Sequence, residues 1–205
     1  RGSAVLINAN TAFKHRGSIV SPDVILSTMA MCAGAGATKI TMLKNVPDGF
    51  WKRSAKGSGS RELSESTAFA EPNFKVVSIP EGLALKEAHI DRLFLEADAV
   101  LNLSVAKHHK GCEFSGILKN AMGACAHDPT CRFFHFGANT NADGWYENVD
   151  HLSQCVADLN LLRSPDLCIL DAAEILTTNG PFGPGKLATP QTVVAGVDPV
   201  AVDAY

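Results

Sequence analysis

The chain has 205 residues, of which 46% are hydrophobic and 19% charged, a composition typical of a globular protein with a substantial core. Its formal net charge is −3, with both signs interspersed, so no basic face is evident and nucleic acid is excluded as an expected partner. No apolar run approaches the roughly 20 residues that cross a bilayer, so no membrane span is predicted.

The first part of the chain predicts a β-α-β unit. Residues 4–10, "AVLINAN", are short, apolar and partly β-branched, which is typical of a strand. The helix predicted over 21–36 begins well, with Ser21 as N-cap and Pro22 in the first helical position. A second strand is predicted over 38–43, which implies a parallel pair joined by a right-handed crossover.

The rest of the chain continues to alternate between strands and helices. A polar loop insertion is predicted over 45–73, with a helical part over 61–69, and a second loop insertion over 125–146. The predicted strands are 74–79 (at an edge), 98–105, 166–173 and 192–197. The predicted helices are 85–97, 115–125, 147–163 and one that Asp198 opens, and a Gly/Pro loop spans 177–190.

This alternation predicts a single α/β domain over residues 1–205, with a layered parallel or mixed sheet and helices on both faces. The chain starts almost on a strand and stops within a helix, so both ends are expected to be trimmed. Ligands of open α/β sheets bind beyond the carboxyl ends of strands. That rule selects four segments: Asn8–Asn10, Lys107–His109, Asp171–Asn179 and Asp198.

Two glycine-rich stretches do not have the context of a nucleotide-binding loop. "GPFGPGKL" (180–187) ends in Leu187 where a phosphate loop needs Ser or Thr, and two prolines remove backbone N–H donors. "GAGAT" (34–38) follows a helix and precedes a strand, the reverse of a dinucleotide fingerprint. Neither stretch therefore supports nucleotide binding.

The stretch "KHHKGCEFSGILKN" (107–120) concentrates cations after the buried strand 98–105. Strand alternation sends Lys107 and His109 to one face and His108 to the other. A following helix that starts at Ser115 would add its free N–H groups, so an anion seat is predicted there. The full candidate site consists of His109 and Lys119 as catalytic residues and Lys107, His108, Ser115, Asn120, Asp171 and Asn179 as substrate-binding residues.

Each candidate has a chemical role in this prediction. Neighbouring cations lower the pKa of His109, which leaves a neutral imidazole for general acid–base chemistry near pH 7. Lys119 would anchor an anion or serve as a covalent attachment point, and Asp171 and Asn179 would orient the ligand. The alternative is a solvated loop without function. His15, His89, His127 and His135 are predicted to be exposed or locally bonded, and the role of His151 is open.

The six cysteines contain no C-x-x-C motif, so neither a zinc ribbon nor a thioredoxin-type site fits. Three of them are expected to be small buried hydrophobes: Cys32, Cys155 and Cys168. Cys125 and Cys131 bracket a turn and could be bridged in an oxidising compartment. A metal site that combines these two with Cys112 has no recognised spacing.

Four segments, in this order, resemble the family known as domain of unknown function 362: "LNLSVAKHHKGCEFSGILKNAMGA", "LSQCVADLN", "CILDAAEILTTNGPFGPG" and "VVAGVDPVAVDA". The matching positions are Lys107 and His109, Lys119, Asn120 and Gly123, Ala157 to Leu159, Asp171 and Ala172, Asn179 to Pro181, and Asp198 to Ala204. The resemblance is good over about 95–205 and looser over 4–45, where Asn8-Ala9-Asn10 replaces the family's K-P-N.

The resemblance implies redox or metallocofactor work, because relatives often carry twin-arginine export signals or ferredoxin-like iron–sulfur clusters. It favours an exported, periplasmic, oxidoreductase-like protein with a redox partner. This chain lacks the ferredoxin cysteine run, so no cluster is assigned to it and its cofactor is unknown. The nickel-pincer lactate racemase family is similar in a fainter way, since His109 and Lys119 match its histidine-to-lysine spacing.

Three functions follow from the sequence. The first is an enzyme or redox-associated protein that binds a small anionic substrate or cofactor at Lys107, His109 and Lys119. The second is a non-catalytic binding or assembly module for a redox partner, which predicts no deep pocket there and an exposed apolar patch elsewhere. The third is a metal or iron–sulfur protein that uses Cys112, Cys125 and Cys131.

Overall fold

The computed structural model of the protein describes residues 2–55, 58–137 and 149–205, with the side chains of 58–61 excepted. The strands of these ranges are β1 (Ala4–Ala9), β2 (Lys39–Met42), β3 (Ala68–Phe69), β4 (Phe74–Ser78), β5 (Glu87–Asp91), β6 (Ala99–Val105), β7 (Lys107–His109), β8 (Glu113–Ser115), β9 (Leu167–Ala172), β10 (Ile175–Leu176), β11 (Leu187–Ala188) and β12 (Thr192–Gly196). The helices are α1 (Pro22–Gly34), α2 (Ser58–Glu65), α3 (Arg92–Glu96), α4 (Ile117–Asn120), α5 (Arg132–Phe136), α6 (Val149–Leu159) and α7 (Pro199–Ala204).

Six strands form the central sheet in the order β12-β9-β6-β1-β2-β3. Five of these strands pair in parallel (β1, β2, β3, β6 and β9), and β12 pairs antiparallel with β9 at one edge. Three separate antiparallel pairs, β4–β5, β7–β8 and β10–β11, lie outside this sheet. The prediction of an α/β fold with a mixed sheet is confirmed.

Helices cover both faces of the sheet. Strand alternation in β1 sends Leu6 into one apolar layer and Ile7 into the other. On the Leu6 face the layer includes Leu152 and Leu159 of α6, and on the Ile7 face it includes Ile25 of α1. The predicted packing of helices on both faces is therefore confirmed.

The strand order reverses between β1 and β6. After β1 the chain moves outward through β2 and β3, and it then returns to place β6 on the other side of β1. The loops that leave the two neighbouring strand ends diverge at such a point and open a crevice. Residues 10–13 after β1 and β7 after β6 leave the sheet at this crevice.

Local chemistry explains why α1 begins where the sequence predicts. The Ser21 hydroxyl accepts a hydrogen bond from the Val24 N–H at 3.3 Å, and Pro22 occupies the first helical position. The helix ends at Gly34, within the predicted range. The β-α-β unit is confirmed, since β1 and β2 pair in parallel.

The helix predicted over 85–97 is wrong in its first half. Residues Glu87–Asp91 form β5, which pairs antiparallel with β4, and only Arg92–Glu96 are helical. Apolar Ala88 and Ile90 alternate with polar neighbours, which is the period of a strand. The strand predicted at 74–79 consequently forms a separate two-stranded ribbon with β5 and is no edge of the central sheet.

The helix predicted over 115–125 is also shorter than expected. Ser115 ends β8, α4 covers only Ile117–Asn120, and a 3₁₀ turn, Ala121–Ala124, follows. Ser115 does not cap the helix. The carboxylate of Asp203 takes that role from α7, and this partner is remote in the sequence.

The two predicted insertions contain more regular structure than expected. Within 45–73, the helical part is Ser58–Glu65, and Ala68–Phe69 then add a short parallel strand to the sheet. Within 125–146, residues up to 137 are mostly helical, and residues 138–146 lie outside the described residues. The helix predicted over 147–163 is observed as α6, although 147 and 148 also lie outside them. No helix in the described ranges is long and apolar enough to cross a membrane.

Candidate functional site

A cavity of about 320 Å³ opens at the crevice between β1 and β6. Its lining comes from the loop after β1, the β7–β8 hairpin, α4 with the turn that follows it, the 127–135 segment and the Gly/Pro loop. The lining residues are Ala9, Asn10, Thr11, Ala12, Phe13, Lys44, Lys107, His109, Ser115, Lys119, Asn120, Met122, Gly123, His127, Cys131, His135, Pro181 and Phe182. Five of the eight predicted site residues line this cavity, and the other three, His108, Asp171 and Asn179, do not.

Three lysines converge on this cavity: Lys44, Lys107 and Lys119. None of the residues described in its lining is acidic, and none of the salt bridges found in the described ranges involves these lysines. Cations without a carboxylate partner in a concave, partly dry site create a positive potential. The cavity is therefore electrostatically suited to an anion.

Lys107 is almost completely buried, with 3% of its surface exposed. Its Nζ donates a hydrogen bond to the Ser18 carbonyl at 2.8 Å and lies 4.6 Å from the centroid of the Phe13 ring. Burial, and then the charge of Lys119, lower the pKa of Lys107 to about 7. This amine therefore changes charge near neutral pH.

His109 is equally buried and is neutral, as the sequence predicts, although the main cause differs. Burial is the largest reason that the pKa of His109 falls to about 2, and Lys119 and His135 contribute after it. The ring Nδ1 accepts a hydrogen bond from the Gly111 N–H at 3.0 Å. The proton of the neutral ring is consequently on Nε2, so His109 is in the tautomer that donates at Nε2.

Lys119 reaches the cavity from α4. Its Nζ lies 3.6 Å from the Met122 sulfur, a weak acceptor, and burial lowers the pKa of its amine. The anion seat predicted at the start of this helix is already filled. Asp203 accepts from the Ile117 N–H at 2.6 Å and from the Leu118 N–H at 2.8 Å. The side chain of Lys119, and not the helix start, is what the cavity offers to a ligand.

Asn120 fixes α4 against the sheet. Its Nδ2 lies 2.7 Å from Asn102 Oδ1 and 3.0 Å from the Asn8 carbonyl, and Asn8 Nδ2 donates to the Asn120 carbonyl at 3.0 Å. All three side chains are buried. A mutually bonded polar network of this kind holds its members in one arrangement, so it also fixes the position of the neighbouring Lys119.

Asn179 shapes the wall of the cavity but does not line it, and its side chain is exposed. Its φ of 57° turns the chain, and its carbonyl accepts from the Gly183 N–H at 2.9 Å. The following Gly180 donates its N–H to His108 Nδ1 at 3.1 Å. The observed contacts of Asn179 and His108 hold the Gly/Pro loop against β7, and the ligand contacts expected of these two residues stay predictions.

That loop brings Phe182 to the cavity, where its ring meets Phe13 edge-on at 5.5 Å. A Cβ atom at position 180 would overlap the His108 carbonyl oxygen. Only glycine allows the loop to approach β7 this closely. The aromatic pair therefore depends on the N-G-P segment.

Asp171, a predicted substrate-binding residue, also lies outside this cavity. Its carboxylate accepts from the Ser21 N–H at 2.8 Å and from the Ala173 N–H at 3.0 Å. It borders a separate depression with Arg16 and Glu174, which form an ion pair. Asp198, at the fourth predicted strand end, caps α7 through the Val200 N–H at 2.9 Å.

Several lining residues were missed by the sequence reasoning. Lys44 follows β2, so the rule about carboxyl ends of parallel strands would have found it. His127 and His135 come from the second insertion and were predicted to be exposed or locally bonded. Cys131, from the same insertion, was considered only for a disulfide or a metal site. No periodicity or motif marks them. Asn10, which that rule did select, has a buried Oδ1 without a partner among the described residues and lines the cavity.

The cysteines are free thiols, including Cys125 and Cys131. The structure contains no group of three or more His, Cys, Asp or Glu arranged for a metal within the described ranges. Burial raises the pKa of Cys112 and Cys131, and Lys119 opposes it at both thiols. His151 has a structural role in packing, with its Nε2 2.9 Å from the Phe133 carbonyl.

The fold and the cavity define an α/β protein with a cationic site at the switch point of its sheet. A family model described as "Domain of unknown function (DUF362)" matches residues 4–205, essentially the whole chain. The chain therefore belongs to this family, as its motifs predict. No curated protein matches the chain, so the fainter resemblance to the nickel-pincer lactate racemase family stays a prediction.

One similar solved structure is a crystal structure of a Thermotoga maritima protein from a structural genomics consortium. Its sequence is 13% identical, the match covers 83% of the present chain, and the TM-score is 0.47. The match spans 46% of the Thermotoga chain, which is less than half of that protein.

Proposed function

We propose that the protein binds a small organic anion in the cavity at Lys107, His109 and Lys119. The observation that carries this proposal is the convergence of Lys44, Lys107 and Lys119 on one cavity without an acidic residue in its described lining. A buried cation costs stability unless it is paired or neutralised. A ligand that carries negative charge supplies the missing partner.

The size and the walls of the cavity favour an organic anion over an inorganic ion. A volume of about 320 Å³ is several times the roughly 30 Å³ share of a water molecule. Phe13, Met122 and Phe182 supply apolar and aromatic surface to the same wall. A carboxylate or phosphate with a compact apolar body satisfies both the lysines and these side chains.

The titratable groups of the site support an enzyme more than a passive binding module. Lys107 changes charge near pH 7, and His109 presents a neutral ring with its proton on Nε2. Such groups can hold or move a proton on a bound ligand. The alternative of an assembly module expects no pocket at Lys107–Lys119, and the cavity there favours ligand binding. Export and a redox partner are proposals of the family resemblance alone.

Isothermal titration calorimetry with matched pairs of acids and amides tests this proposal. We expect propionate and benzoate to bind, and propionamide and benzamide, which have nearly the same shape without the charge, to bind much more weakly. Lys119→Met should remove the binding of the acids. Lys110→Met is the matched control, because Lys110 is exposed in the same segment and should leave the affinity unchanged.

Two results would count against the proposal. Equal affinity for an acid and its amide would show that charge does not drive binding. An equal loss of affinity in Lys119→Met and Lys110→Met would show that the effect is general electrostatics and not this cavity.

A further inference from the structure

Lys107, which is buried, and Lys119, which is partly buried, are held in different ways in the cavity. Lys107 Nζ is fixed by the Ser18 carbonyl at 2.8 Å and by the face of the Phe13 ring. Lys119 Nζ has only the Met122 sulfur as a hydrogen-bond partner among the described residues. The first amine is oriented by strong contacts, while the second has capacity left for the oxygen atoms of a ligand.

We propose that Lys107 captures the carbonyl carbon of a small 2-oxo acid as an imine, while Lys119 holds the carboxylate of the same molecule. A 2-oxo acid places an anionic group next to an electrophilic carbon, so it fits a cavity with two separate amines. This inference rests on the proposed function, because it names the substrate class for the same site.

The surroundings of Lys107 suit a nucleophilic amine. A lysine attacks a carbonyl only as the free base, which desolvation and a neighbouring cation both favour. Lys107 has both conditions, since it is 3% exposed and lies near Lys119. No carboxylate in the described lining would hold it protonated.

The contacts of Lys107 leave its lone pair available. The neutral amine has two N–H bonds, and the Ser18 carbonyl accepts one of them. The dry wall formed by Phe13 and Phe182 also favours the product, because imine formation expels a water molecule and hydrolysis needs one back.

The chemistry is balanced without an oxidant or a reductant. The Nζ lone pair forms a bond to the carbonyl carbon, and the carbonyl π electrons move to oxygen. A proton passes from nitrogen to oxygen to give a carbinolamine. The hydroxyl group then leaves with a further proton from nitrogen as water, and the C=N bond forms. The neutral His109 ring in the same cavity can relay these protons.

Reductive trapping tests the inference. The purified protein is incubated with pyruvate and sodium cyanoborohydride, digested, and mapped by mass spectrometry. We expect a reduced pyruvate adduct on Lys107 and none on exposed Lys110, which is the internal control. Lys107→Arg, which retains the charge, should lose the adduct.

Propionate and lactate separate this inference from the proposed function, since neither has a reactive carbonyl. We expect both to compete with pyruvate and to slow the trapping. If propionate binds in a Lys119-dependent way and Lys107 stays unmodified by pyruvate, imine capture is wrong and anion binding stands. If propionate does not bind either, both are wrong.

The remaining outcomes also decide the assignment. An adduct on Lys119 in place of Lys107, or equal labelling of Lys107 and Lys110, would overturn it. The wild-type map gives this answer by itself, so the test does not depend on whether Lys107→Arg folds. If that variant folds, unchanged circular dichroism together with the lost adduct completes the support.

Discussion

The burial of Lys107 destabilises the folded protein, and no carboxylate in the described ranges forms a salt bridge with its amine. Its amine is buried against Ser18 and Phe13, and the described salt bridges of the protein lie elsewhere. A lysine in such a place destabilises the folded state whenever it is protonated. Such a destabilising lysine is characteristic of a ligand site, because a bound anion or the loss of the proton relieves the destabilisation.

The pH dependence of the free energy of unfolding should show the destabilisation by protonated Lys107. The folded-state pKa of Lys107 is about 7 and the unfolded value is about 10.4, so the unfolded chain binds more protons between these values. Stability therefore rises with pH through this window, by at most about 1.4 kcal/mol per pH unit. Lys107→Met should flatten the rise in urea unfolding from about pH 7 to 9, and Lys110→Met should keep it.

His109 should resist protonation far below the usual range of histidine. Its pKa of about 2 lies below the unfolded value near 6.5, so the unfolded chain binds the proton first as pH falls. Its contribution to stability is complete above about pH 6.5 and is lost progressively below it. Nitrogen-15 NMR should show His109 as the Nε2–H tautomer throughout pH 5–8, and His109→Gln should lessen the acid destabilisation. A ring that titrates near pH 6 would contradict the structure.

Elements whose signals are local could be predicted, and those with remote partners could not. The start of α1 is specified by Ser21 and Pro22 within its own sequence. The start of α4 is instead capped by Asp203, which comes from α7 and is 86 residues from Ile117. β5 was missed because its period-2 pattern continues directly into the helix that Asp91 caps.

The junction between α4 and α7 gives a test at this scale. A Cβ on Gly116 would overlap the Asp203 carboxylate and crowd the Phe114 ring. Gly116→Ala should therefore destabilise the protein by roughly 1–3 kcal/mol, as overpacking does, and weaken propionate binding through Lys119. Gly34→Ala is the matched control: nothing lies within 4 Å of its Cβ. Equal unfolding midpoints of the two variants in urea would contradict this account of the junction.

At the scale of the whole molecule, the position of the site follows from the strand order. The rule about strand ends selected Asn8–Asn10 and Lys107–His109, and both segments border the crevice between β1 and β6. It also selected Asp171 and Asp198, which cap and tie loops instead. The sequence could not separate these two groups, because both consist of polar residues at strand ends, and only the pairing of strands shows where the order reverses.

The residues of the family motifs also form two groups, those that line the cavity and those that hold elements together. Lys107, His109 and Lys119 border the cavity, while Asn120 ties α4 to the sheet and Gly180 lets the Gly/Pro loop approach β7. A motif therefore combines residues that line the cavity with residues that hold those in place. The second insertion contributes His127 and His135 without any motif, so this part of the wall was not predictable from one sequence.

The central proposal is that Lys107 and Lys119 pair with an anion in this cavity. Its most direct test is the number of protons exchanged when benzoate binds at about pH 8, measured by calorimetry in two buffers of different ionisation enthalpy. Lys107 is mostly neutral at this pH, and an anion beside it raises its pKa. The account predicts net uptake of up to about one proton per benzoate, and loss of that uptake in Lys107→Met. Benzoate binding without proton uptake, at the same affinity in Lys107→Met as in the wild type, would contradict it.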